Sequence, residues 1–251
     1  MKEFYSTRKF NEEILNKIFS TLKQWTDFIQ NTINFSFIKF GDGEFYCMMG
    51  QEGENCDHHP YSKELAVKLY DAWYFFNKLD NIYIAEWAGH KPDMNNASIS
   101  EKFQFDLISK TDIKVIFVNY EILLQNTLCE EKFNFLKSIK DSNRKKIFVG
   151  PERLNGVVDF LNVNKFIQVP LINTFSKYDE LLPNILNEIE DNCIFLFSCG
   201  LPSKSFIHQI LEHNNNVTCL DFGSGFDSMF VGYTREGQID GNFVKNYYTI
   251  R

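Results

Sequence analysis

The run Cys193-Ile194-Phe195-Leu196-Phe197-Ser198 has no polar side chain at any inner position. A strand with one face in water alternates apolar and polar residues, so an unbroken apolar run belongs to a sheet covered on both faces. The run stops at Cys199-Gly200-Leu201-Pro202-Ser203-Lys204, and Phe206, Ile207, Ile210 and Leu211 then recur at helical spacing. Strand, turn and amphipathic helix in that order call for helices above and below a sheet.

The rest of the chain repeats this alternation. Ile14, Leu15, Ile18, Phe19, Leu22, Trp25, Phe28 and Ile29 predict an amphipathic helix within residues 10–31. Strands are expected at 35–40, 82–86, 114–119, 146–149, 166–169, 193–198 and 217–221. Helices are expected near 62–78 with Ser62 as N-cap, 98–109, 129–140, 178–189 and after 203. Strands separated by helices of this length form a largely parallel sheet with helices on both faces, an α/β, Rossmann-like architecture. No linker composition, repeat or low-complexity block interrupts the 251 residues, which are read as one domain with residues 1–34 as a helical segment packed on it.

Net charge is −7 with a pI near 5.3, which argues against general attraction to nucleic acid or an anionic membrane. An anionic ligand would need a local site. The six cysteines show no CxxC spacing, and neither a signal peptide nor a membrane-spanning apolar run is evident. Reduced thiols and a cytoplasmic location, or one peripheral to the membrane, are the expectation.

In such a sheet, ligands bind beyond the carboxyl ends of the strands, so the strand ends carry the candidate chemistry. The first is Ile38-Lys39-Phe40-Gly41-Asp42-Gly43-Glu44-Phe45. As an extended strand tip it would turn Asp42 and Glu44 to one side, two hard oxygen ligands for Mg²⁺ or Mn²⁺, with Gly41 and Gly43 admitting a ligand to the main chain. As an acidic turn it would start a helix at Glu44. Glu86, Trp87 and His90 end the second strand and could line a pocket, or Trp87 could cap the core. Pro151 and Glu152 suit a helix start, although Glu152 is also a strand-end carboxylate. Adjacent His58 and His59 would point apart on an extended chain without a third ligand at recognisable spacing, which favours solvated loop histidines.

Gly200, Ser203 and Lys204 combine a glycine turn, a helix N-terminus and an ammonium, a setting for an anionic group, but the Walker A spacing is absent. Asp221-Phe222-Gly223-Ser224-Gly225-Phe226-Asp227 superficially resembles the D-x-G-x-G motif of S-adenosylmethionine methyltransferases, yet it closes the sheet where theirs opens it. The closing segment from Gly232 to Arg251, with Tyr233, Arg235, Tyr247 and Tyr248, could pack as a tail or fold over a ligand.

Taken together, Gly41-Asp42-Gly43-Glu44, the Val169–Tyr178 segment VPLINTFSKY, Gly200-Leu201-Pro202-Ser203-Lys204 and the Asp221–Asp227 run resemble the glycosyltransferases of the GT-D fold, in the same order and over about residues 35–230. The resemblance implies a divalent metal and a nucleotide-sugar diphosphate at Asp42 and Glu44, and places Gly200 and Lys204 at the donor. Relatives often carry His where this chain has Ser224. The implied activity is metal-assisted transfer of a sugar, UDP-linked in the first instance, to a glycan, glycolipid or glycoprotein acceptor. Asp227, Glu86, Glu152 and His90 are the candidate general bases, Asp227 first, while Asp221 and Gly223 shape the last turn beside the donor. A methyltransferase and a non-catalytic nucleotide- or sugar-binding module are the alternatives.

Overall fold

The computed structural model describes residues 5–6, 12–86, 95–124 and 127–232. Strands β2 (Ser36–Lys39), β3 (Ile82–Glu86), β4 (Ile116–Asn119), β6 (Lys146–Pro151), β7 (Lys165–Val169), β8 (Ile194–Phe197) and β9 (Thr218–Asp221) form one seven-stranded sheet. Its order is β4-β3-β2-β9-β8-β6-β7, and every pairing is parallel. A separate antiparallel pair, β1 (Tyr5–Ser6) with β5 (Thr127–Leu128), was not legible from the sequence.

The helices are α1 (Glu12–Gln30), α2 (Asp42–Met48), α3 (Lys63–Phe76), α4 (Ile99–Lys110), α5 (Glu130–Asp141), α6 (Gly156–Leu161), α7 (Tyr178–Leu186), α8 (Ser203–His213) and α9 (Asp227–Phe230). Their starts follow local chemistry. Ser62 Oγ accepts from Leu65 N–H at 3.1 Å at the head of α3, and Ser98 with Glu101 closes a reciprocal capping box on α4.

Successive residues of each strand feed opposite faces. Ile38, Ile84, Ile147, Phe195 and Cys219 join the core beneath α2, α3, α7 and α8. Phe37, Tyr83, Phe148, Leu196 and Leu220 join the other core, under α1, α5 and α6. On that side α1 buries Ile18, Leu22, Trp25 and Ile29, and Trp25 meets Phe35, Phe37, Tyr83 and Phe135 at centroid separations of 5.1 to 5.7 Å. The apolar β8 run is therefore buried at all four positions, with a helical layer on each face.

Two local expectations need correction. The Gly-Asp-Gly-Glu segment is not an extended strand tip: β2 ends at Lys39 and α2 begins at Asp42. Gly41 is the extended N-cap, and Glu44 at the third helical position reaches back to accept from Gly41 N–H at 2.8 Å. Phe45, Cys47 and Met48 then bury the helix, with Phe40 edge-on to Trp73 of α3 at 5.2 Å. The helix start expected at Glu44 thus lies two residues late. The second correction is at Pro151, which is not the first helical residue: it closes β6 opposite Val169, where a missing N–H is tolerated, and is the N-cap of a 3-10 turn over Glu152–Leu154.

Candidate functional site

Because all seven strands run in parallel, their carboxyl ends share one edge of the sheet. The chain leaves β2 outward through β3 to β4, and its second half returns inward through β8 to β9, so the two halves meet at the β2/β9 seam. An open cleft of about 290 Å³ lies over this seam, lined from the ends of β2, β9, β8, β6 and β7 and from the loop after α2. This is the position where a doubly wound sheet leaves a crevice for ligand.

Asp42 stands exposed on the cleft wall, and its Oδ1 accepts from Gly43 N–H at 2.9 Å. Glu44 is buried and committed elsewhere. Its Oε2 takes the Gly41 N–H, and its Oε1 lies 2.6 Å from Lys204 Nζ. Lys204 also lies 2.9 Å from Asp221 Oδ2, and Ser203 Oγ donates to the same Asp221 oxygen at 3.1 Å. Asp221 Oδ1 accepts from Gly223 N–H at 3.1 Å, which is the turn-fixing role its position implied. Burial pulls the Lys204 pKa down, but Asp221 and Glu44 outweigh it and hold the ammonium above the usual lysine range. Glu44, Lys204 and Asp221 thus form one buried charge network joining α2, α8 and β9. Of the residues expected at the donor, Gly41, Gly43, Gly200, Lys204 and Gly223 line the cleft, whereas Ser203 and Asp221 lie beneath it.

Three of these glycines make room for side chains. A methyl group on Gly43 would fall 3.0 Å from Asn55 Cβ, on Gly200 2.6 Å from His59 Nε2, and on Gly223 2.9 Å from Lys39 Nζ. Gly200 and Gly223 also hold φ of +72° and +53°, a region that favours glycine. At Gly43 the space read from sequence as ligand access to the main chain is taken by Asn55, and at Gly41 Glu44 Oε2 lies 3.3 Å from where a methyl would sit; Asn55, His59 and Lys39 each line the cleft.

His59 departs furthest from expectation. The Asn55 Oδ1 accepts from the N–H groups of Asp57 at 3.1 Å and His59 at 2.9 Å, and Asn55 N–H donates to the His59 carbonyl at 3.1 Å. This tight loop leaves His58 exposed at φ +59°, paired with Glu54 Oε1 at 2.6 Å, and buries His59 to 5% exposure. His58 is the solvated loop residue that was expected; His59 is not. Burial lowers the His59 pKa below the ordinary value, against opposing pulls from Asp57 and Glu44. Its signal in the sequence was slight: an Asn four residues ahead, able to fold a loop back on itself.

Asp227 is buried to 3% exposure, opens α9 and lines the cleft, with Oδ2 3.6 Å from a guanidinium nitrogen of Arg153. Arg153 lines the cleft as well, whereas Glu152 is exposed and does not. Glu86 ends β3, but its side chain, together with Trp87, His90 and the segment after Gly232, lies outside the described residues. Among the described residues no group of three or more His, Cys, Asp or Glu side chains could hold a metal ion by itself. Cys56 is exposed on the cleft, the other five cysteines are buried, and none of the six is in a disulfide. No described helix is long and apolar enough to cross a membrane.

No protein-family model and no curated protein matches the chain. Solved structures do. A selenomethionine-substituted structure of domain of unknown function 1792 aligns with a TM-score of 0.56 at 15% identity, covering 93% of this chain and 92% of that one. A second structure of that domain, described as having a distinct glycosyltransferase fold, aligns with the same TM-score and identity over 92% of each chain. A third, described as a new glycosyltransferase from Streptococcus sanguinis, gives 0.56 at 13% identity over 91% of this chain and 90% of that one. At such identities the likeness concerns architecture, and the chain has the fold described there as a distinct glycosyltransferase fold.

Proposed function

We propose that the cleft transfers a sugar from a nucleotide-sugar donor, with a UDP-sugar as the first candidate, to a hydroxyl of a glycan, glycolipid or glycoprotein acceptor. The observation that carries this reading is the placement of an exposed carboxylate, Asp42, and two cations, Lys39 and Arg153, around one cleft at the central strand ends of a glycosyltransferase fold. In the reaction the bond from the anomeric carbon to the diphosphate oxygen breaks and its electron pair stays with the diphosphate. The acceptor oxygen bonds to that carbon and gives up its proton.

Each side chain has a role within this scheme. Lys39 and Arg153 neutralise diphosphate charge. Lys204, held between Glu44 and Asp221, anchors the turn that carries Gly200 and does not itself reach for phosphate. Asp227 is the base for the acceptor hydroxyl in an inverting reaction, with a guanidinium nitrogen of Arg153 3.6 Å from its Oδ2.

The residues present fit a divalent cation in a limited way. Mg²⁺ and Mn²⁺ are commonly held by one or two carboxylates plus substrate phosphates. Asp42 suits that part, whereas both Glu44 oxygens are already engaged, one by an ammonium. A bound cation would supply further neutralisation of the leaving diphosphate.

The methyltransferase alternative gains nothing from the geometry, since the Asp of its D-x-G-x-G likeness, Asp221, is buried against Lys204 and Ser203. A test of the proposal is a panel of nucleotide sugars with Mn²⁺ or Mg²⁺, read as nucleotide release and thermal shift. Release from one donor, stimulated by an acceptor glycan, is the expected result. Binding without turnover would favour a non-catalytic module, and stabilisation by S-adenosylmethionine alone would favour the methyltransferase.

A further inference from the structure

We propose that His59 is a catalytic residue of this cleft, donating a hydrogen bond from Nε2 to an oxygen of the donor's diphosphate. The assignment rests on the glycosyl-transfer reading and adds to it a residue that neither motif nor fold suggested.

Three observations converge on His59. Its loop is built to hold it: the side chain and main chain of Asn55 fix both ends of the 55–59 turn, Tyr61 N–H donates to the Gly53 carbonyl at 2.8 Å, and Glu54 bridges Pro60. The imidazole lies over Gly200, at the turn between β8 and α8, on a surface that any side chain at position 200 would occupy. Finally, Nδ1 is sealed from solvent and has no hydrogen-bond partner, although the ring lines the cleft.

The tautomer follows from that last point. A neutral imidazole carries one donor nitrogen and one acceptor nitrogen. Nothing beside the sealed Nδ1 accepts a proton from it, so the acceptor role is assigned to Nδ1 and the proton to Nε2. Nε2 is the ring atom nearest the Gly200 turn, and it is not sealed as Nδ1 is. Burial lowers the pKa of the ring, opposed by Asp57 and Glu44 and helped by Lys204 and Arg153, which favours the neutral form.

A neutral donor beside a diphosphate does not over-stabilise the bound donor substrate. Its hydrogen bond strengthens as charge accumulates on the oxygen during glycosidic bond cleavage, which is the condition for a contribution to rate.

The experiment compares His59→Gln, His59→Asn and His59→Ala in the full chain, with kcat and KM measured for a nucleotide-sugar donor that the wild-type protein turns over and melting temperature measured in parallel. The Gln amide nitrogen falls near the Nε2 position and the Asn amide nitrogen near Nδ1. Expected is a kcat loss on the order of 10²-fold for Ala and Asn, the size of losing one transition-state donor, with most activity kept by Gln. Donor KM and melting temperature should be nearly unchanged in all three. The proposal is overturned if all three keep wild-type kcat, if Asn keeps activity and Gln does not, or if activity falls only in step with melting temperature. A wild-type protein inactive on every nucleotide sugar overturns the glycosyl-transfer reading itself, and this assignment with it.

Discussion

Glu44 Oε1 lies 2.6 Å from Lys204 Nζ, a buried contact that ties the first turn of α2 to the first turn of α8. With Asp221 completing the network at 2.9 Å, the lysine is neutralised from two sides. Removing it leaves two buried carboxylates without a counter-charge, a situation that costs about 3–5 kcal/mol when a buried pair is broken. Lys204→Met should therefore lower the urea midpoint by a corresponding amount. A stable Lys204→Met protein whose sole defect is weaker donor binding would return Lys204 to phosphate recognition.

Asp42 and Glu44 should separate in their effects. Asp42→Ala removes an exposed first-turn carboxylate, worth about 0.3–1 kcal/mol to the helix, and should abolish most metal-stimulated activity with little change in melting temperature. Glu44→Ala should destabilise markedly, because Lys204 then faces Asp221 alone. Addition of EDTA should depress the wild-type rate to the level of Asp42→Ala. Equal destabilisation of the two variants would contradict the division of labour.

Gly200→Ala meets two penalties at once. The residue has φ +72°, which costs about 1–2 kcal/mol for an L side chain, and the new methyl would lie 2.6 Å from His59 Nε2. Chemical denaturation should show a loss beyond the backbone cost. Pairing the change with His59→Ala should recover the steric part, so the double variant should be more stable than the sum of the single losses predicts. Strict additivity would mean the ring can swing clear at no cost.

Asp227→Asn keeps the size of a residue that opens α9 but removes its ability to take a proton. With saturating donor and acceptor, kcat should fall by roughly 10²–10⁴-fold, the range for losing a general base. Full retention of kcat would exclude Asp227 as the base. Product anomeric configuration, read by NMR, tells whether an inverting base is needed at all.

Lys132 offers a test by pH. Its ammonium is buried, donates to the Leu124 carbonyl at 2.5 Å, and burial pulls its pKa down to about 8, against the favourable pull of Cys129 and Glu121. In the unfolded chain the group titrates at its ordinary 10.5, so between these values the unfolded state binds more protons. The burial penalty is thus complete below about 8 and is relieved as pH rises toward 10.5. Urea midpoints of wild type and Lys132→Met across that window should shift in favour of wild type as pH increases. A difference that stays flat with pH would mean the lysine is not titrating there.

The strand and helix order was open to reading because each element carries its own period. The apolar β8 run, the α1 stripe of Ile18, Leu22, Trp25 and Ile29, and the Ser62 and Ser98 caps all lie within a few residues of what they determine. The start of α2 was harder, since Gly-Asp-Gly-Glu satisfies turn, strand-tip and helix-start chemistry alike, and the choice rests on Phe45 and Met48 packing beneath it.

By itself, then, the sequence determined an α/β sheet covered on both faces and pointed to its carboxyl edge, where the structure has a cleft, because hydrophobic periodicity and turn chemistry act over short stretches of chain. Tertiary structure alone decided which strand-end groups are available. Glu44 and Lys204 are drawn into one buried pair from opposite ends of the chain, and that pairing exists only once β2, β8 and β9 lie side by side. Likewise, adjacent His58 and His59 are chemically equal in the sequence. The Asn55 turn sends one to solvent and the other over Gly200, a surface that β8 supplies only after the sheet has formed.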